Sequence, residues 1–215
     1  MSKEVNIARY HYCLFLIGYL NIFEKLMYHR LKSFLGKNDI LFKSRYSFRE
    51  NHSTQHAIIG IVNVIQNNMD QNLFSRGIFL DLKKAFDTVD HLILLQKRNH
   101  YGINDWFASY LLGRSQVTEV GFNLSTECMI SCGVPQGSLL GPLLFLIYIN
   151  DIHNSSAKLS FYLFADDANL LYADTNLKYL VKTVNSELLR VSDWLNAKKS
   201  NYVIFRQYGK KHGND

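Results

Sequence analysis

Two adjacent aspartates interrupt a stretch of chain that is otherwise apolar and rich in β-forming residues. Asp166 and Asp167 follow the apolar run 159–163 and precede the apolar run 168–172. Carboxylates in such surroundings cost free energy unless something compensates their charge. The pattern therefore favours a hairpin with both acids at its turn, because Asp tolerates turn conformations. A divalent cation is the simplest compensating partner.

A further carboxylate lies upstream, at the end of another short apolar run. Asp81 follows residues 77–80, which predict a buried strand, and the residues from Lys83 onward predict the start of a helix. Ligands of α/β proteins bind at the carboxyl ends of strands. An Asp at a strand end is also commonly a helix cap or a turn residue. Spacing alone leaves both interpretations open.

The segment 132–142 lies between these acids and is rich in small residues. It holds both prolines of the chain, Pro135 and Pro142, and three of its twelve glycines. A loop of this kind lets a flat ligand approach the backbone closely before the apolar helix that follows. An ordinary turn before a core helix explains the same residues, so this segment alone does not identify a site.

Three segments in this order resemble the motifs of one enzyme family: Phe79-Leu80-Asp81-Leu82-Lys83-Lys84-Ala85-Phe86-Asp87, Gly133-Val134-Pro135-Gln136-Gly137-Ser138 and Phe164-Ala165-Asp166-Asp167. They are similar to motifs A, B and C of the reverse transcriptase of non-LTR, jockey-like retrotransposons. The segments 46–54 and 194–205 resemble the family's fingers motif and motif D. The resemblance covers the chain from about residue 20 to residue 205.

The resemblance implies an α+β fold, the right-hand polymerase fold, in which an antiparallel palm sheet packs on helices. It implies fingers over residues 1–75, with a divergent N-terminal part, and a palm over residues 76–190 that carries the three motifs and intervening fingers segments. Residues 191–215 are expected to form a truncated motif D region and a C-terminal tail, with the thumb missing.

The activity implied by the resemblance is RNA-directed DNA polymerisation by two-metal nucleotidyl transfer. On the matching positions, Asp81 and Asp166 are the acids expected to bridge two Mg²⁺ ions, and Asp167 is a weaker third member. The backbone carbonyl of Leu82 is expected to be an additional ligand. All-oxygen ligation that keeps waters and substrate phosphates suits Mg²⁺, and Mn²⁺ is a substitute.

The resemblance also implies substrate contacts. Phe86 matches the aromatic residue that blocks a ribose 2′-hydroxyl, and Gln136 and Gly137 match residues near the incoming base and template. Lys199 matches the motif D lysine, a proton donor to pyrophosphate, and Arg49 is expected to meet the triphosphate or template phosphate. The alternatives stay open: Phe86 as a core residue, Lys199 as a solvated lysine.

Asp87, Asp90 and His91 offer a metal-like cluster, but they fall in the first turns of a predicted helix. Acids there are favoured by the helix dipole and need no ion. We interpret these residues as capping and surface residues.

Composition is consistent with a nucleic-acid-binding protein. The net charge is +6 and the basic residues are dispersed, as a surface that binds a phosphate backbone requires.

Cys13, Cys128 and Cys132 contain no CxxC pair, which indicates free thiols in a reducing compartment. The apolar stretch 12–23 is too short to span a bilayer. The resemblance implies an RNA template, a DNA primer and deoxynucleoside triphosphates as partners, no membrane, and an intracellular nuclear or cytoplasmic ribonucleoprotein.

Periodicity predicts helices over 20–35, 54–68, 84–98, 106–112, 139–149 and 177–195. It predicts a strand over 77–82, a strand pair over 116–121 and 126–131, and a hairpin over 159–173.

Several positions depart from the family pattern. Tyr10-His11-Tyr12-Cys13 replaces a segment with a basic residue and a proline. Arg45 and Ser47 replace a glutamine and a glycine, and Ser47 is strained if its site needs a positive φ. The loop after Trp194 is shorter, and no thumb or endonuclease is present, so we expect a fragment or a decaying copy with weak or absent activity alone. Three hypotheses stay open: a polymerase core, a catalytically silent remnant that at most binds nucleic acid, and a metal-dependent phosphohydrolase.

Overall fold

A computed structural model describes residues 14–47, 53–82, 84–103, 106–120, 123–135, 137–197 and 203–205. The helices in this part of the chain are α1 (Leu14–Lys37), α2 (Thr54–Asp70), α3 (His91–His100), α4 (Trp106–Leu111), α5 (Leu140–Ile149) and α6 (Leu177–Ala197). The strands are β1 (Phe74–Asp81), β2 (Ser115–Gln116), β3 (Glu119–Val120), β4 (Asn123–Leu124), β5 (Cys128–Met129), β6 (Ser160–Phe164), β7 (Asp167–Asp174) and β8 (Val203–Phe205). The predicted mixture of helices and antiparallel strands is confirmed.

The chain divides into two compact units, and each unit is built from two separate stretches. The first comprises Met1–Ile40 and Phe86–Tyr148, and the second comprises Leu41–Ala85 and Ile149–Asp215. All three candidate metal-binding acids therefore belong to the second unit. Phe86 and the glycine-rich loop belong to the first.

An antiparallel sheet in the order β6-β7-β1-β8 forms the centre of the second unit. Ile78 and Leu80 of β1 are buried, and the register places them opposite Leu170 and Ala168 of β7, which are buried too. Phe79 points to the other face and is 51% exposed. This alternation is typical of an antiparallel sheet with one face on the core.

Two helices of the second unit pack on this sheet. Helix α6 contacts β7 and β1, and α2 contacts β1 and β6. The side chains that α6 buries recur every three or four residues, as an amphipathic helix requires; they include Leu180, Val184, Val191 and Leu195. Helix α2 begins directly after its cap residue Ser53, whose Oγ accepts a hydrogen bond from the backbone N–H of His56.

Helix α5 belongs to the first unit up to Tyr148, and its side chains are almost all buried. The predicted single strand pair over 116–121 and 126–131 is wrong in its detail. Two short ladders form instead, with β2 pairing β5 and β3 pairing β4. Among the described residues, no helix is long and apolar enough to cross a bilayer.

The predicted helix over 84–98 is wrong in its first half, because α3 begins only at His91. In a helix, the carbonyl of Phe86 would accept a hydrogen bond from the residue four positions later. Here it accepts the N–H of Val134 at 2.8 Å. Asp90 then caps α3 through the N–H groups of Leu92 and Ile93. Tertiary hydrogen bonds and a cap thus override the local helical preference.

Arg45 is a charged residue inside the second unit. The segment around it runs parallel to the edge strand β6, with Tyr46 N–H donating to Leu163 O at 2.9 Å. The Arg45 side chain is fully buried, and none of its three nitrogens has a hydrogen-bond partner in the described part of the chain. Burial lowers the pKa of its guanidinium to about 9. Ser47 is also buried but does not have a positive φ, so the expected backbone strain is absent there.

We predict that Arg45→Met stabilises the chain against urea by about 1–4 kcal/mol at pH 7, because it removes a buried charge without a partner. A cation with a lowered folded-state pKa destabilises the fold fully below that pKa, near 9. Its penalty fades as the pH rises toward the ordinary value. The gain should therefore shrink between pH 9 and pH 11. Arg30→Met, at an exposed position on α1, is the control with the same charge change; an equal effect of both variants would contradict the prediction.

Candidate active site

Asp81 and Asp167 lie directly opposite each other in the second unit. Asp81 is the last residue of β1, Asp167 is the first of β7, and the antiparallel register pairs the two. Directly opposite residues project to the same face, with Cβ atoms about 4.5–5.5 Å apart. Like charges in such a pair are destabilising. The sheet therefore brings together two acids that lie 86 positions apart in the sequence.

Asp166 sits in the two-residue loop that joins β6 to β7. Phe164 and Asp167 close this hairpin as a register pair, which leaves Ala165 and Asp166 as the loop. Ala165 has a φ of +49°, a conformation that is unfavourable for a residue with a Cβ. Strained backbone of this kind is common at functional sites. The tight loop keeps Asp166 beside the Asp81–Asp167 pair.

The charges of these carboxylates interact. The pKa of Asp167 is raised above its ordinary value, first by burial and then by the negative charges of Asp166 and Asp81. Three acids from two distant stretches of chain therefore interact electrostatically. An uncompensated field of this sign attracts cations.

The donor set is suited to a hard divalent cation, since every ligand atom is oxygen. Among the described residues, however, no three Asp, Glu, His or Cys side chains are gathered closely enough to hold a metal ion. The backbone carbonyl of Leu82, the residue after Asp81, accepts a hydrogen bond from the N–H of Ala85 at 3.0 Å. A carbonyl oxygen has two lone pairs, so one remains to bind a cation. The residues fit an open site that needs water or substrate oxygens to complete its ligand shell.

Phe86 and the glycine-rich loop meet in the first unit. The ring of Phe86 packs against that of Phe145, with centroids 4.8 Å apart. Gly137 is exposed and has a φ of +83°, a conformation that suits glycine. Gln136, Arg49 and Lys199 lie outside the described residues, as do the divergent segment 10–13 and Cys13. Cys128 and Cys132 are free thiols, as expected.

The predicted capping and surface cluster separates into distinct roles. The capping role of Asp90 is confirmed, and Asp87 is exposed. The prediction for His91 is wrong, because this side chain is only 2% exposed and its Nε2 donates to the carbonyl of Gly133 at 2.6 Å. No sequence pattern pairs these residues, which are 42 positions apart.

A second anchor of the loop also escapes sequence analysis. Glu24 of α1 accepts hydrogen bonds from the Tyr110 hydroxyl at 3.0 Å and from the N–H of Leu140 at 3.3 Å. Ser138 Oγ accepts the N–H of Gly141 at 2.9 Å. Burial raises the pKa of Tyr110 to about 12, so its hydroxyl remains a donor. These contacts hold the start of α5, which begins three residues after Gly137.

Comparison with known proteins gives one consistent result. A family model described as reverse transcriptase (RNA-dependent DNA polymerase) matches residues 15–212. The probable RNA-directed DNA polymerase from transposon X-element of Drosophila melanogaster is 30% identical over 198 residues, 86% of this chain and 22% of that protein. The RNA-directed DNA polymerase from mobile element jockey of the same species is 31% identical over 137 residues, 61% of this chain and 15% of that protein. The chain thus spans less than a quarter of the length of either relative.

Among solved structures, apo telomerase from Candida tropicalis, truncated from its C-terminal domain, is similar with a TM-score of 0.57 and 13% identity. The match covers 87% of this chain and 41% of that one. A telomerase from Candida albicans, solved with a fragment of telomeric RNA, has the same TM-score at 15% identity. At such identities the similarity is one of fold.

We predict that Asp81→Asn lowers the pKa of Asp167, because it removes one of the negative charges that raise it. The pKa should stay above its ordinary value, since burial and Asp166 remain. A carboxyl-carbon NMR titration measures this shift. Asp174→Asn, at the far end of β7, is the control and should leave the Asp167 titration unchanged. An identical titration in the Asp81 variant would show that the two carboxylates do not interact.

Proposed function

Because this chain belongs to the reverse transcriptase (RNA-dependent DNA polymerase) family, we propose that it forms the catalytic core of an RNA-directed DNA polymerase. Its reaction adds deoxynucleotides to the 3′ end of a primer. One observation carries the proposal: Asp81 and Asp167 face each other across β1 and β7, with Asp166 in the adjoining loop. Within a family of nucleotidyltransferases, such a group of acids serves phosphoryl transfer.

The finer architecture belongs to the same proposal. The β6-β7-β1-β8 sheet and its helices correspond to the polymerase palm, which we assign to residues 76–190. Residues 1–75 would form fingers, and residues 191–215 would form the motif D region. The pairing of Asp81 with Asp167 supports this assignment, because it brings the segments that resemble motifs A and C together in one sheet.

Enzymes of this family use divalent metal ions, and we propose Mg²⁺, two ions, with Mn²⁺ as a substitute. Asp81 and Asp166 would hold both ions, and Asp167 and the Leu82 carbonyl would complete the protein ligands. Bound there, the ions would favour ionisation of the primer 3′-hydroxyl and neutralise the triphosphate. The contribution of the chain is to hold these oxygens on rigid strand ends, so that positioning provides most of the rate.

We also propose substrate contacts for the residues that match the family's motifs. Phe86 would exclude a ribose 2′-hydroxyl by contact, and the Gln136–Gly137 loop would meet the incoming base and template. Arg49 would bind phosphate, and Lys199 would donate a proton to pyrophosphate. An RNA template, a DNA primer and deoxynucleoside triphosphates are the proposed ligands. The net charge of +6 supports them, and we place the protein inside the cell in a ribonucleoprotein.

Primer extension on an RNA template tests the proposal. We expect weak elongation by the chain alone that requires Mg²⁺ and falls at least about 100-fold in Asp166→Asn, because removing a group that stabilises transition-state charge costs that much. Asp193→Asn neutralises an exposed acid on α6 and should extend normally.

Two outcomes contradict this prediction. Absence of extension by the unmodified chain at any enzyme concentration would leave a protein that at most binds nucleic acid. Release of phosphate without elongation would identify a hydrolase.

A further inference from the structure

The segment that carries Phe86 is hydrogen-bonded to the start of the glycine-rich loop within the first unit. Val134 N–H donates to the carbonyl of Phe86, and Gly133 N–H donates to the carbonyl of Val89, both at 2.8 Å. His91 Nε2 donates to the carbonyl of Gly133 at 2.6 Å. We call these three hydrogen bonds the 86–134 clamp.

The clamp depends on close backbone contact at Gly133. This residue has a φ of +88°, and a Cβ built there would lie 3.0 Å from the carbonyl oxygen of Asp87 and 3.2 Å from its Cα. Backbone atoms cannot move aside as the end of a flexible side chain can. Glycine therefore allows the loop to lie directly against the residue that follows Phe86.

The clamp also limits where the ring of Phe86 can lie. The backbone of Phe86 is held by Val134, and its ring packs on Phe145 at 4.8 Å. Phe145 belongs to α5, the helix that the same loop enters. The position of the ring therefore follows the position of the loop.

The buried side chain of His91 makes one hydrogen bond, and that bond belongs to the clamp. Its side chain is buried, and its Nδ1 has no hydrogen-bond partner among the described residues. The hydrogen bond from Nε2 to the Gly133 carbonyl is therefore the polar interaction that this ring contributes. Burying a half-satisfied imidazole costs free energy, so its position needs an explanation beyond filling space.

We propose that His91 and Gly133 are positioning residues for sugar selection. By fixing the backbone of Phe86, they would keep its ring where it blocks a ribose 2′-hydroxyl. This inference rests on the proposed function, and it adds residues that do not touch the substrate. A side chain that excludes by contact is sensitive to small displacements. Loss of the clamp should therefore admit ribonucleotides more than it slows deoxynucleotide addition.

The test measures kcat/KM for a deoxynucleotide and for the matching ribonucleotide in primer extension. We expect His91→Leu, which lacks the donor, to lower the deoxy-to-ribo ratio about tenfold, the effect of about one buried hydrogen bond. His91→Gln keeps an N–H at a similar reach and should restore the ratio. His91→Asn is too short to reach Gly133 and serves as a second disrupting variant if His91→Leu does not fold.

Two further measurements separate a positioning role from a purely structural one. Hydrogen exchange at the Val134 amide should quicken in His91→Leu and return to normal in His91→Gln, while melting temperatures of the compared variants stay close. Phe86→Ala is the reference variant, because it gives the deoxy-to-ribo ratio of kcat/KM when the ring is absent.

Each failure has a different meaning. An unchanged ratio in His91→Leu and His91→Asn, with a lowered ratio in Phe86→Ala, overturns this inference alone. An unchanged ratio in Phe86→Ala overturns the role of the ring, and the inference falls with it. Absence of extension by the unmodified chain overturns the proposed function, and again the inference falls with it.

Discussion

Repulsion between carboxylates across a sheet is the constraint around which the second unit is built. Asp81 and Asp167 form a register pair, and Asp166 lies next to them in the loop. Such an arrangement opposes folding, and after burial the negative charges of Asp166 and Asp81 raise the pKa of Asp167 further. The buried face of the same strands offsets it, because apolar residues pair there along the register. The apolar contacts and the carboxylates are thus placed on opposite faces of the same two strands.

The first unit solves a different problem, which is the placement of a loop without regular structure. At one end of the loop, the N–H groups of Gly133 and Val134 donate to carbonyls of the segment 86–89, and Glu24 holds the helix start at the other end. Buried or half-buried polar groups of this kind need partners, so each anchor also stabilises the unit. The consequence is a loop with two defined ends directly before an almost wholly buried helix.

Local patterns were sufficient for most elements. The helical period of α6 and the apolar strands flanking Asp166 both predicted the observed structure, because each depends on neighbours in sequence. Two of the errors share one cause. The helix expected over 84–98 begins late because Phe86 and Val89 give their carbonyls to residues more than 40 positions away. The surface role expected for His91 failed for the same reason.

Sequence order was enough to identify the acids and the family resemblance, since motif residues and their apolar flanks are contiguous in the chain. The direct pairing of Asp81 with Asp167 was not predicted. It depends on strand register, because one residue of slippage would turn either side chain to the opposite face. The burial of Arg45 and the contact of His91 with Gly133 were decided by tertiary packing alone. Periodicity describes which face of an element is apolar, but hydrogen bonds between distant segments depend on how those elements are arranged in space.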